Sequence, residues 1–305
     1  MMKKLLLTLS IILLAIPATA QGRFQRRPLA ASMGQFDLDE DDTPLTAPPG
    51  VRVIKDVAYS NDPLQRLDVY LPPDAHKAPI IFMVHGGGWR TGDKAMKRVV
   101  ENKLRHWSAM GYAFVSVNYR LLPQASPLEQ ARDVAKALAF TERQAASWGG
   151  DGSRVILMGH SAGAHLISLI ETSDRLSPDL GSATWIGAVS LDSAALDVVE
   201  IMEKRHFPLY DKAFGREPLF WKSASPYHAL THREPPFLAV CSSRRADSCA
   251  QADRFVAKAK SLGITASVLP EDLSHREINE TLGETSAYTA AVDRFITSCL
   301  SLHSR

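Results

Sequence analysis

Apolar positions along the chain fall into short runs of two kinds. Residues 51–54 and 67–71 alternate apolar with polar, the period of a strand with one wet face, and Asn61-Asp62-Pro63 between them reads as a turn. A hairpin is predicted there, ended by Pro72 and Pro73. Residues 80–84, 113–117 and 155–158 are unbroken apolar runs without alternation, as expected of strands covered on both faces. Further strands are predicted over 186–191, 237–241 and 265–269. Helical periodicity occupies 96–110, 127–145, 162–172, 250–262 and 285–300, with Pro127 opening the second of these. Strands alternating with helices imply an α/β domain with a mostly parallel sheet, right-handed crossovers and helices on both faces. Residues 197–230 break this rhythm with Phe207, Tyr210, Phe214, Phe220, Trp221, Tyr227 and several prolines. They read as an irregular lid insertion, a candidate wall for one half of a substrate.

The run 155–158 leads into Gly159-His160-Ser161-Ala162-Gly163, and a helix follows at once. Strand, sharp turn, helix with Gly-x-Ser-x-Gly at the turn is the setting of a nucleophilic serine: small neighbours let strand and helix close while the hydroxyl is lifted off the sheet edge. Ser161 is therefore the candidate nucleophile.

A serine hydroxyl needs a base to take its proton and an acid to orient that base. Such chains run serine, acid, histidine. Of ten histidines, His275 alone follows a late predicted strand, in Leu269-Pro-Glu-Asp-Leu-Ser-His275, and it is read as the base in a loop. His160 and His165 flank the serine, with side chains expected to point elsewhere. Two aspartates compete for the acid. Asp192 directly follows the strand 186–191, and Asp247 follows the next one by a short loop containing Arg244 and Arg245. Asp247 is favoured because the acid commonly follows that later strand, although aspartate is also a good helix N-cap.

Upstream, 80–84 runs into His85-Gly86-Gly87-Gly88-Trp89. Successive glycines allow a loop whose amides approach a ligand closely. Gly87 and Gly88, with the amide of Ala162, are the expected oxyanion donors, and Gly86 shapes the turn. Trp89 either walls the site or packs to hold the loop.

Composition adds an address more than a chemistry. The N-terminus has Lys3 and Lys4, an apolar stretch over 5–16 and small residues at 18–20, the pattern of a cleavable export signal over 1–20 that is too short for a membrane span. Its removal takes 35 basic side chains to 33 against 33 acidic ones, which argues against a nucleic-acid partner. Residues 21–50 read as a flexible lead-in and 51–305 as one α/β domain. In an oxidising compartment Cys241 and Cys249 are the economical disulfide pair, with three buried thiols as the alternative. No metal or cofactor motif stands out, and none is expected.

His85-Gly-Gly-Gly-Trp89, Gly159-His-Ser-Ala-Gly-Ala-His165, Leu67-Asp-Val-Tyr-Leu-Pro72, Val117-Asn-Tyr-Arg120 and Gly149-Gly-Asp-Gly-Ser-Arg154 together resemble the α/β-hydrolase superfamily over about residues 51–300. The similarity is to its esterase branch: hormone-sensitive-lipase-like carboxylesterases, bacterial acetyl and feruloyl esterases, and kynurenine formamidases. The chain departs from many relatives in carrying Cys241-Ser242 where they have a glycine-bearing pair.

The expectation is an exported, periplasmic or secreted serine carboxylesterase acting on small-molecule esters of short acyl chains, without a stable membrane anchor. Amide hydrolysis on the same residues and a non-catalytic binding protein of the same fold are the alternatives.

Overall fold

The computed structural model describes residues 45–193, 195–232 and 235–303. The export-signal segment and most of the lead-in lie outside the described residues. Eight strands, β1 (Arg52–Ala58), β2 (Arg66–Leu71), β3 (Ala78–Val84), β4 (Ala113–Val117), β5 (Gly150–His160), β6 (Gly187–Leu191), β7 (Phe237–Ser242) and β8 (Ala266–Glu271), form one sheet in the order β1-β2-β4-β3-β5-β6-β7-β8. β1 and β2 are antiparallel, β2 meets β4 antiparallel, and every pairing from β4 to β8 is parallel. The helices are α1 (Lys97–Ala109), α2 (Pro127–Trp148), α3 (Ala162–Thr172), α4 (Ser177–Leu180), α5 (Val198–Glu203), α6 (Pro208–Phe214), α7 (Pro218–Ser223), α8 (Pro226–Ala229), α9 (Ser248–Ser261), α10 (His275–Glu280) and α11 (Ala287–His303).

Side chains alternate across each strand, so the unbroken apolar runs feed two cores. Ile80, Phe82, Val84, Val155 and Leu157 pack against α2, α3 and α9 on one face. Ile81, Met83, Ile156 and Met158 pack against α1 and α11 on the other. The long helix α2 starts on a full capping box, Ser126 accepting from the Glu129 amide while Glu129 accepts from the Ser126 amide, with Pro127 in its first turn. It ends at Gly149, whose φ of 98° suits glycine.

Three expectations change. The stretch 197–230 is not irregular: it folds into α5 to α8, three of them opening on a proline. The strand expected over 155–158 is longer than its apolar run: β5 begins at Gly150 and ends at His160. The domain also begins before Val51, because Leu45 and Ala47 pack against the second of these cores.

In this sheet order the loops that leave the carboxyl ends of β3, β5, β6, β7 and β8 are neighbours. The crevice there is where open α/β sheets bind ligands.

Candidate active site

Ser161 stands between β5 and α3 with φ 55° and ψ −117°, a conformation that costs a non-glycine residue about 1–3 kcal/mol and persists only where the surroundings impose it. Here they do. The Ser161 amide donates to the Leu191 carbonyl at 2.9 Å. A Cβ on Gly163 would lie 2.2 Å from the Val84 carbonyl oxygen, and one on Gly159 would lie 2.5 Å from the Gly163 oxygen. The glycines of the motif are thus required by backbone approach, and the strand and helix clamp the serine between them.

Ser161 and His275 line one cavity of about 470 Å³. His275 is not in a loop: it is the first residue of α10, a helix capped by Ser274, which accepts from the Glu277 amide while Glu277 accepts from the Ser274 amide. A capped first turn fixes the histidine's backbone.

The acid is where the favoured assignment fails. His275 Nδ1 lies 2.6 Å from Asp192 Oδ2, and Asp192 is fully buried. Asp247 makes no contact of this kind. It is exposed at the N-cap of α9, without even a side-chain capping bond. The reason is helical geometry: successive residues point about 100° apart, and it is Ser248 that turns inward. Asp192 Oδ1 accepts from the Ser242 amide at 2.8 Å and from the Ser248 hydroxyl, while Oδ2 accepts from Arg245 at 2.6 Å as well as from His275. Asp192 has φ 53°, so the chain bends sharply as it leaves β6. Burial would raise its pKa, but donation from His275, the Arg245 charge and Ser248 overcome this and hold the carboxyl well below the usual range. The signal in the sequence is an aspartate directly after a buried apolar run, with two arginines downstream able to meet it.

Arg245 also lies 2.9 Å from His275 Nδ1. A guanidinium has only donors. The ring nitrogen that donates to Asp192 cannot accept from Arg245 as well, so the carboxylate is their shared acceptor. Nε2 is then left without a hydrogen, the form a general base needs. The loop bearing these donors is closed by a disulfide between Cys241 and Cys249, the pair expected from spacing. It ties the end of β7 to the first turn of α9.

His160 belongs to the site after all. It lines the cavity, and its Nε2 donates at 2.9 Å to the His275 carbonyl, with the two rings 4.5 Å apart. Burial and then the neighbouring His275 hold His160 neutral, far below the ordinary histidine pKa. Its position beside the serine gives no hint of this, because the partner is distant in sequence.

The amides of Gly87, Gly88 and Ala162 make no hydrogen bond among the described residues. Gly87 and Gly88 line the large cavity, and Gly88 and Ala162 line a smaller one of about 10 Å³ on another side of Ser161. The loop is held from behind. Gly87 O accepts from the amides of Arg90 and Thr91, both at 3.1 Å, and Trp89 O accepts from Leu122 N and Gln130 Nε2 at 2.8 and 2.9 Å. Trp89 does both jobs expected of it: buried against Tyr210 and Phe214, it also walls the small cavity. Its indole donates to His165 Nδ1 at 3.2 Å, and His165 Nε2 donates to Ala224 O at 2.8 Å. Burial lowers the His165 pKa to about 4, keeping it neutral for both bonds. The insertion reaches the site through α6, with Leu209 and Lys212 on the large cavity and Tyr210 on the small one.

A protein-family model, BD-FAE, matches residues 67–258. Among curated proteins the chain is 31% identical over 137 residues to a probable isoprenylcysteine alpha-carbonyl methylesterase of Oryza sativa subsp. japonica, covering 44% of this chain and 32% of that one. It is 29% identical over 203 residues to esterase LipC of Mycobacterium tuberculosis, covering 62% and 50%. The matched span is thus half or less of these relatives' length. Among solved structures, esterase B of Lactobacillus rhamnosis aligns with TM-score 0.68 at 21% identity, covering 85% of this chain and 88% of that one. A truncated carbohydrate esterase from gut microbiota aligns with TM-score 0.69 at 20% identity, covering 87% and 99%. These likenesses establish the α/β-hydrolase fold.

Proposed function

The chain belongs to the BD-FAE family, and we propose that within it the protein is a serine carboxylic-ester hydrolase working through an acyl-enzyme. Ser161 Oγ attacks the ester carbonyl as His275 Nε2 takes its proton. Asp192 holds the imidazole in the required tautomer and stabilises its cation. Negative charge on the former carbonyl oxygen falls to the amides of Gly87, Gly88 and Ala162. Each such donor is worth about 3 kcal/mol of transition-state stabilisation. The alcohol departs with the proton from His275, and water, deprotonated by the same histidine, releases the acid.

The observation that carries this reading is the convergence on one cavity of a strained Ser161 and a His275 whose Nδ1 rests on a fully buried carboxylate. A small acyl group is favoured by the cavity of about 10 Å³ beside Ser161, room for about one water molecule. The larger cavity, of about 470 Å³, then takes the alcohol half. Residues 1–20 support export to the periplasm or medium.

The test is turnover of p-nitrophenyl acetate, butyrate and octanoate by purified protein. Acetate is expected to be preferred, and Ser161→Ala to lose at least about 10³-fold in kcat. An alanine variant of undiminished rate would exclude the mechanism; a preference for octanoate would exclude the short acyl group.

A further inference from the structure

The large cavity is electrostatically lopsided. Among the described residues, Arg90, Arg98, Lys212 and Arg276 line it, against one carboxylate, Glu280. These cations come from separate elements: the loop after β3, α1, α6 and α10. Glu280 is already taken, Arg276 Nε lying 2.8 Å from its Oε1. The side chains of Arg90 and Lys212 make no hydrogen bond or ion pair among the described residues. The surplus is local. The whole chain carries a formal charge of only +2, so a generally basic surface does not account for it.

Clefts lined by one sign of charge raise the local concentration of the opposite ion and set specificity more than raw affinity. The lopsidedness lies on the side of Ser161 with room for the larger half of an ester. Lys212 sits one helical turn after Leu209, so an apolar wall and a cation share one face of α6 at this cavity. Arg90 directly follows Trp89, so the same segment that supplies the oxyanion amides also supplies a charge at the cavity.

Resting on the ester-hydrolase reading above, we propose that the alcohol half of the natural substrate carries a fixed negative charge, a carboxylate or an equivalent anion, which Arg90 and Lys212 bind while the acyl carbonyl lies at Ser161. The enzyme is thereby selective for acidic esters over neutral ones of the same size. The released alcohol is itself an anion.

The experiment compares aryl acetates of similar size and different charge: 4-acetoxybenzoate, its neutral primary amide and 4-acetoxyphenyltrimethylammonium, each kcat/KM for acetate release divided by that ester's own hydroxide-catalysed rate. The anionic ester is expected to lead the neutral one by roughly tenfold at low ionic strength, with the cationic ester last. The preference should shrink in molar salt, since exposed charges are screened over about 3 Å there. The double variant Arg90→Gln with Lys212→Gln should lose about tenfold more on the anionic ester than on the neutral one. In the unmodified protein 4-hydroxybenzoate should inhibit competitively at lower concentration than 4-hydroxybenzamide, a readout independent of how the variant folds. Equal rates on all three esters, or a preference that survives the double substitution, would overturn the proposal while leaving the ester-hydrolase reading intact. Failure to turn over any of the three would remove that reading and this one with it.

Discussion

Replacing Asp192 by Asn separates the two candidate acids. The carboxylate accepts four hydrogen bonds, from the Ser242 amide and Ser248 hydroxyl on Oδ1 and from Arg245 and His275 on Oδ2. An amide has one acceptor and one donor end, so whichever way the substituted side chain is turned, a pair of donors faces its NH₂ group. If the NH₂ faces His275, the ring must present Nδ1 as acceptor, which moves the hydrogen to Nε2 and disables the base. Removal of the charge in this way costs about 10⁴-fold in kcat, or about 5.5 kcal/mol. Stability should fall too, because hydrogen bonds to a charged group contribute about 1.5–3 kcal/mol each and Arg245 loses the carboxylate, keeping the backbone oxygen of residue 192. Asp247→Asn touches none of this: the residue is exposed and caps nothing with its side chain. Its effect should stay within about 0.5 kcal/mol on stability and about threefold on kcat. The assay is kcat on p-nitrophenyl acetate at matched folded fraction, checked by thermal unfolding followed by circular dichroism. Retained activity in Asp192→Asn together with a collapse in Asp247→Asn would refute the hydrogen-bond argument.

Other perturbations test the frame around the serine. Gly163→Ala would push a methyl to 2.2 Å from the Val84 carbonyl oxygen, a backbone atom that cannot swing aside, so a loss of more than about 3 kcal/mol in urea unfolding is expected; wild-type stability would show that the elbow can open. Substituting both Cys241 and Cys249 by Ser removes a cross-link between residues 8 apart, which loop-closure entropy values at about 2.5 kcal/mol, and it should lower kcat several-fold as the Arg245 and Ser248 loop loosens; unchanged kcat would mean the loop holds Asp192 unaided. Lys103 lies fully buried on α1, Nζ donating to Asn279 Oδ1 at 2.9 Å and to its backbone oxygen, and burial lowers its pKa from 10.5 to about 7. The unfolded chain holds a proton that the folded protein has released between those values, so this group's contribution to stability rises with pH from about 7 to 10.5 and is least below 7. The stability of the wild type relative to Lys103→Met should therefore climb by a few kcal/mol across that window and flatten beneath it; a difference independent of pH would contradict the depressed value.

The fold is legible in the sequence because its signals are local. Unbroken apolar runs at 80–84, 113–117 and 155–158 form the central strands, and Gly159 to Gly163 form the elbow. What escapes sequence reasoning depends on tertiary approach. Asp192 and Asp247 each follow a strand, and only the inward turn of Ser248, with Arg245 reaching across, shows which loop wraps around the other's carboxylate. A residue beside the serine is expected to face away, yet the strained turn aims His160 at a carbonyl 115 residues downstream. The insertion 197–230 lacks long periodicity because its helices span at most seven residues, too short for an apolar stripe to repeat.

The role assigned to Ser161 can be read from mass spectrometry of the intact protein after exposure to a p-nitrophenyl phosphonate ester. A single phosphonyl adduct is expected, mapping to the peptide that contains Ser161, appearing in step with loss of esterase activity and absent from Ser161→Ala. An adduct on another residue, or full ester turnover by protein modified at Ser161, would contradict the account.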